Sequence, residues 1–531
     1  MDYQYYDEES DYIDVDEEEL AAAGGLDYGY GKPLDEEVED YYLGGGEDEE
    51  AAYHNGGLVE RLPQILHSCV KPSLLQVLQY MAPMLLLCLV CRLLCLLYAR
   101  RGHLSQNQFQ SLRMAPLHLI HLGCGLTLLH FSVGYRLWLL LLLAVVGYLL
   151  LQLLRLGRHG AQLLAMLTIG SQFLYELLIW RNRSDWPQLR GIQMVVNMKL
   201  ISLGFDLTSG GGGNQLTKGI PNPLAYLGYI YSPATCALGP WVSYGSYSNC
   251  LVPRSSWLLS LRRTVANAVL CLLTVTVSNC LAPLLSDLAG GWHFLAMYTD
   301  ALSVRSSHYF VGFIAQALLV VTDQRLDDAR ESELLGPLVA QPWRIEWPRS
   351  ISALVRSWNI PMHEWLKRYI YTPCKTTGRH SRMQGLLAIF CTYLVSSLLH
   401  GMDLRIYLVL ISLAVFAAGE SLLRRHLSSV LNACLSANLC PGAERCRYSN
   451  CPSKLGSWAS VSGCLVQLAN LGFTALAIFH LAYLGVVLMG DSLESGVGTA
   501  EEEGFLWHWK QAGYLSHYIG VGTIVLYLFI S

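Results

Sequence analysis

Charge is scarce in this chain and unevenly divided. Only 15% of its 531 residues are Asp, Glu, Lys or Arg, against 53% hydrophobic, where a soluble domain carries about 25% charged residues. Basic residues are all but missing from positions 1–57, which hold 20 of the 41 acidic residues and a single base, Lys32. The remainder is therefore basic, as expected of a membrane body whose cationic loops are held on the cytosolic side. Nucleic acid is not implied as a partner. An amino-terminal signal peptide is also lacking, so the first membrane helix, near Leu74, is expected to direct insertion into the secretory pathway. Internal repeats, common in transporters, are not evident.

Long apolar runs fill the rest. Met81 to Leu97 and Leu137 to Leu154 approach the roughly 20 residues that a helix needs to cross the hydrocarbon core, and the bilayer is the expected solvent and partner. Four such segments follow one another at about 74–98, 115–133, 136–156 and 160–180. Segments near 193–205, 224–243, 264–285, 290–302 and 308–322 are shorter or interrupted by Gly and Pro. Broken helices are tolerated in a membrane only inside protein or beside a cavity, so they predict a tunnel. Residues 323–383 form the most polar internal stretch, and apolar helices resume at 384–399, 404–418, 461–489 and 513–530. The fold class expected is an all-α polytopic membrane protein with roughly ten to twelve membrane segments, re-entrant pieces and a central tunnel. Four regions are expected: a disordered acidic tail over 1–57, amino-terminal transmembrane helices over 58–190, a catalytic core over 191–490, and a last loop and helix over 491–531.

Orientation is only faintly written in the sequence. Arg100, Arg101 and Arg113 place the first loop inside, whereas the loop with Arg181, Arg183 and Arg190 also holds the sequon Asn182-Arg183-Ser184, which needs the lumen to be used. Of the 16 cysteines, those inside apolar runs, such as Cys88, Cys91, Cys95 and Cys271, are expected to pack as small hydrophobes. Cys434, Cys440, Cys446 and Cys451 are spaced C-x5-C-x5-C-x4-C, unlike the C-x2-C knuckles of zinc sites, and no metal is assigned to them. Their basic surroundings favour the reducing cytosol, with S-acylation as a second option.

The most informative helix runs from Gln384 to His400. Thr392, Ser396 and His400 recur every four residues and form a polar stripe on an otherwise apolar segment. Such a stripe must face protein or a water-filled cavity, and an ionisable group within a membrane segment is by default a functional hypothesis. A histidine satisfied by a backbone carbonyl remains the alternative, the more so since His121, His293, His308 and His480 also border apolar runs. The polar stretch before it supplies Trp358 and Asn359, then Lys367, Lys375, Arg379 and Arg382, cations suited to the phosphates of a CoA thioester or to lipid headgroups.

SWNIPMHEWLKRYIY followed by SSLLHGMD, with His400 forty-one residues after Asn359, resembles the membrane-bound O-acyltransferases. ISLGFDL at 201–207 and GYIYSPATCALGPWVSY at 228–244 extend the likeness, which spans about residues 190–490. The resemblance implies transfer of a palmitoleoyl group from its CoA thioester to a serine hydroxyl of Wnt proteins, in the endoplasmic reticulum membrane. It names His400 and Asn359 as the catalytic pair, palmitoleoyl-CoA as co-substrate, and no permanently bound cofactor. Burial would keep His400 neutral and able to accept the hydroxyl proton, while the Asn359 amide would donate to the thioester carbonyl. Trp358 would line the acyl channel, and Cys391 would be packing rather than a nucleophile. The alternatives are an O-acyltransferase for another peptide or lipid, a transporter lined by the same residues, or an escort that shields a lipidated client.

Overall fold

The computed structural model describes residues 63–101, 110–154, 159–179, 186–208, 219–327, 331–376, 382–455, 460–488 and 506–531. The acidic tail, the sequon at Asn182 and Arg379 lie outside them. Helices make up nearly all of the described structure; the strands are two-residue pieces, Glu331–Ser332 and Gly336–Pro337. Seven helical runs among the described residues are long and apolar enough to cross a membrane, with two shorter apolar helices, Gln384–Leu399 and Leu515–Ile530.

One of the seven, Met114–Leu154, holds two passes. A 3-10 turn at Gly134–Arg136 separates its helices. Tyr231 shows that the chain reverses there: its carbonyl oxygen lies so close to Gly125 that no Cβ fits, and its hydroxyl reaches the Leu140 carbonyl at 2.6 Å. Fifteen residues of unbroken helix would hold those two points about 22 Å apart.

The first helical run begins earlier than the sequence suggests, at Pro63, and a disulfide ties its Cys69 to Cys280, near the end of the run Trp257–Leu288. The two segments expected at 290–302 and 308–322 are one helix, His293–Thr322. The polar residues that suggested a break are held inside the bundle. Arg305 pairs with Glu346 at 2.8 Å, and Tyr298 and Tyr309 hydroxyls donate to the same carboxylate at 3.0 and 2.6 Å. A buried charge persists in this way only when paired and hydrogen-bonded.

The region expected at 224–243 is re-entrant. A short helix, Pro223–Ile230, gives way to irregular backbone with a cis Gly239–Pro240 bond and then Tyr244–Asn249. Lys199, fully buried on the helix Trp186–Thr208, closes the broken end by donating to the carbonyls of Tyr229 and Ile230 and to the Thr235 hydroxyl, at 3.0, 2.9 and 2.8 Å. A cation at a helix carboxyl terminus satisfies the carbonyls left without a partner. The hydrophobic core is continuous from Val77 to Leu481 and packs the amino-terminal helices against the rest.

Candidate active site

Asn359 stands at the joint between two short helices, Ile351–Trp358 and Ile360–Leu366, and caps the second: its Oδ1 accepts from the Met362 N–H at 3.1 Å. Pro361 in the first turn suits such a start, because its missing N–H would have no partner there anyway. With Oδ1 committed to the cap, the amide NH2 is the end that Asn359 presents.

The joint is fixed from behind. Ile360 N–H donates to Val339 carbonyl at 2.8 Å and Gln341 N–H to Ser357 carbonyl at 2.9 Å. The segment around Val339 is gripped in turn by Gln316 of the long helix. Gln316 Oε1 accepts from the N–H groups of Val339 and Ala340, at 2.8 and 3.4 Å, and its amide donates to Asn267 at 2.8 Å. A buried glutamine thus sets the position of Asn359 through two backbone steps.

His400 follows the helix Arg382–Leu399 by one residue, in a tight turn. Gly401 has φ +77°, and Met402 N–H donates to the buried Glu176 carboxylate at 2.7 Å. Arg190 lies between Glu176, at 3.6 Å, and Asp403, at 3.8 Å. Gln172 donates to the Leu399 carbonyl at 2.6 Å. The turn carrying His400 is therefore held by polar groups of two neighbouring helices.

His308 backs the Asn359 joint. Its Nε2 lies 3.0 Å from the Trp358 carbonyl oxygen and its ring stacks on Trp358 at 4.7 Å. The sequence shows His308 only as one of several histidines bordering apolar runs. Two of the others have local partners, His121 with Ser232 at 3.1 Å and His480 with Ser516 at 2.5 Å, and His293 is exposed at its helix start. Trp358, Asn359, His308 and His400 are each partly accessible, while Ser306, Tyr309, Ser357, Ile360 and Leu399 beside them are buried. These four side chains thus keep some accessible surface among buried neighbours.

The stripe before His400 is more self-contained than the sequence suggests. Thr392 and Ser397 donate to carbonyls of their own helix, at 2.6 and 2.9 Å, and Ser396 is buried. Cys391 keeps company with the thiol of Cys374.

A small pocket lies beside Asn359, lined by Trp241, Leu326, Asp327, Ile360, Pro361, Glu364 and Arg368. Its cation is Arg368, 3.8 Å from Asp206 and 3.6 Å from Asp327. Lys367 points to the surface and pairs with Glu364 at 3.0 Å, and the exposed Lys375 sits over the Tyr371 ring at 5.8 Å. The side chain of Arg382 lies outside the described residues.

A multi-pass helical body with a histidine, an asparagine and an adjoining pocket inside it is the form of a membrane-embedded acyl-transfer enzyme. The model of the membrane-bound O-acyltransferase family matches residues 127–461, and the chain belongs to that family. It is 70% identical over its full length, and that of its relative, to the protein-serine O-palmitoleoyltransferase porcupine of Drosophila melanogaster. It is 31% identical to the Homo sapiens protein of the same name, over 89% of this chain and 98% of that one. A lysophospholipid acyltransferase of Schizosaccharomyces pombe is 21% identical over 49% of this chain and 57% of its own length.

Proposed function

We propose that this enzyme transfers a palmitoleoyl group from palmitoleoyl-CoA to a serine hydroxyl of a secreted protein, with Wnt proteins as the acceptors, at the endoplasmic reticulum membrane. The observation that supports it most is membership of the membrane-bound O-acyltransferase family together with His400 and Asn359, each partly accessible within the helical body. Full-length likeness to relatives named for this reaction supports the choice of acyl group and acceptor residue.

His400 acts as general base. The serine oxygen attacks the thioester carbonyl carbon as its proton passes to the imidazole. The tetrahedral oxyanion then accepts hydrogen bonds from the Asn359 amide, and on collapse the C–S bond breaks and the CoA sulfur takes the proton from His400. No protein nucleophile is needed, which leaves Cys391 to packing. Trp358, stacked inside the bundle, lines the acyl path rather than anchoring a loop at the interface. Arg368 at the pocket, more than Lys367 or Lys375, is placed to meet the polar end of the donor.

The test is acyl transfer by purified protein in detergent, with acyl-CoA donors of several lengths and a Wnt-derived serine peptide. Wild type should transfer palmitoleate, and folded His400→Ala and Asn359→Ala variants should not. Acyl-CoA binding without transfer to any acceptor would instead favour an escort or a transporter.

A further inference from the structure

The spacing on which the sequence argues against a metal is closed up in space. Cys434, Cys440, Cys446 and Cys451 bring their four sulfurs within 4.8 Å of one another, and those of Cys440 and Cys451 stand 3.5 Å apart. In a tetrahedral zinc site with Zn–S bonds of about 2.3 Å, neighbouring sulfurs lie about 3.8 Å apart. We propose that these four cysteines form a four-thiolate site for one zinc ion, a structural centre separate from the active site.

The loop needs such a centre. Its small buried cluster consists of Cys434, Cys446 and Cys451, with Cys440 and Tyr448 partly buried against them and no aliphatic side chain among them. Besides these the loop buries only Ala433 and Leu435, against Val466, and together they cover too little apolar surface to offset the ordering of about twenty residues. The backbone nevertheless holds the ligands in place: Ala433 and Asn450 form a parallel bridge, Cys434 N–H donates to Asn450 carbonyl at 3.0 Å, and Cys446 N–H to Gly442 carbonyl at 3.0 Å. The outer contacts suit a centre of net negative charge. Lys454 donates to the Cys446 carbonyl at 2.6 Å, Arg349 to the Cys434 carbonyl at 3.1 Å, and the Ser453 hydroxyl lies 3.9 Å from the Cys440 sulfur.

Position in the membrane favours metal over disulfides. The bond Cys69–Cys280 marks one end of the bundle as facing an oxidising compartment. Gly485 packs on Ala301, near the start of the helix that follows Cys280, so Val461–Gly485 finishes at that same end and begins at the other. The cysteine loop immediately precedes Val461 and so lies on the opposite, reducing face. There thiols persist and, deprotonated together, select zinc or an iron–sulfur centre. Burial of three of the four sulfurs argues against their S-acylation.

The site also reaches the chemistry indirectly. Besides Arg349, Asn470 donates to the Cys434 carbonyl at 3.1 Å, and Ser350 donates to the Ala437 carbonyl at 3.0 Å. Arg349 and Ser350 immediately precede the helix Ile351–Trp358, whose far end is Asn359. Loss of the ion would loosen the base of that helix.

The experiment is elemental analysis of the full-length protein, purified in detergent without a histidine tag or chelator. One zinc per chain should survive gel filtration, and Cys440→Ser and Cys451→Ser should reduce it to background, while Cys464→Ser, outside the cluster, should not. Alkylation of the wild-type protein, read by mass spectrometry, needs no variant to fold: the four cysteines should be protected until a strong zinc chelator is added. Replacement by Co2+ should give thiolate charge-transfer and tetrahedral d–d bands. Folded wild-type protein without zinc, whose four cysteines are disulfide-bonded, acylated or freely alkylated, would overturn the proposal. So would iron with the absorption of an iron–sulfur centre.

Discussion

His308 meets Trp358 in two ways, through a ring stack at 4.7 Å with planes 19° apart and through a 3.0 Å contact from Nε2 to the Trp358 carbonyl oxygen. A carbonyl can only accept, so Nε2 carries the proton and Nδ1 of a neutral ring is left as an acceptor. The second histidine is thereby fixed in tautomer as well as in place, next to the residue that precedes Asn359.

If this contact sets the Asn359 joint, His308→Phe should keep the stack and lose the tether. We expect transfer to fall roughly ten- to a hundredfold in kcat, with the KM for acyl-CoA and the thermal midpoint little changed. Activity equal to wild type would reduce His308 to packing.

Much of this architecture was legible in the sequence, and the exceptions share a cause. Apolar runs mark helices because the bilayer demands them, and the polar stripe ending at His400 marks the helix that leads to the site. The continuity of His293–Thr322 was hidden because Ser303, Arg305, Ser306, Ser307 and His308 look like a break. The partners of Arg305 and His308, Glu346 and Trp358, come from 41 and 50 residues away. The cysteine loop is the same lesson again, since spacing along a chain says little about proximity once a bridge between Ala433 and Asn450 folds it back.

Gln316 offers a test of positioning from a distance. Gln316→Leu leaves the Val339 and Ala340 N–H groups without their acceptor, a loss of about 1–3 kcal/mol for buried donors. The expected outcome is a lowered kcat with acyl-CoA affinity retained, and Gln316→Glu should recover part of it, since a carboxylate can still accept both bonds. A loss confined to acyl-CoA binding would count against the linkage.

The Arg305–Glu346 pair is expected to carry stability rather than rate. Glu346→Gln leaves the buried Arg305 charge uncompensated and should cost about 3–5 kcal/mol, whereas Arg305→Met leaves the partly exposed Glu346 and should cost less. The double variant should be milder than the sum. Thermal unfolding in detergent with all three variants forms the cycle, and strict additivity would show that the two groups are not coupled.

Gly401→Ala tests the turn after His400. Its φ of +77° is strained for alanine, and the added Cβ would stand 2.6 Å from Glu176 Oε2 and 2.9 Å from the Arg190 side chain. The strain alone is about 1–3 kcal/mol, and the displaced turn should abolish most transfer even where the protein remains folded. Wild-type rates from folded Gly401→Ala would mean that the His400 turn tolerates a shift the mechanism forbids.

The long helix His293–Thr322 differs from its companions in having almost no outside beyond its first turns. Of its membrane-crossing window 78% is buried, against 28–44% for the other six runs. Elsewhere in this protein, inherited variation can accumulate harmlessly on the lipid-facing side of a helix, where one apolar residue serves as well as another. Here that refuge is missing. Sequence drift among populations should therefore be slowest along this segment, on every face alike. A clinical or natural variant that falls within it should be weighed as damaging even when it exchanges one hydrophobic residue for another.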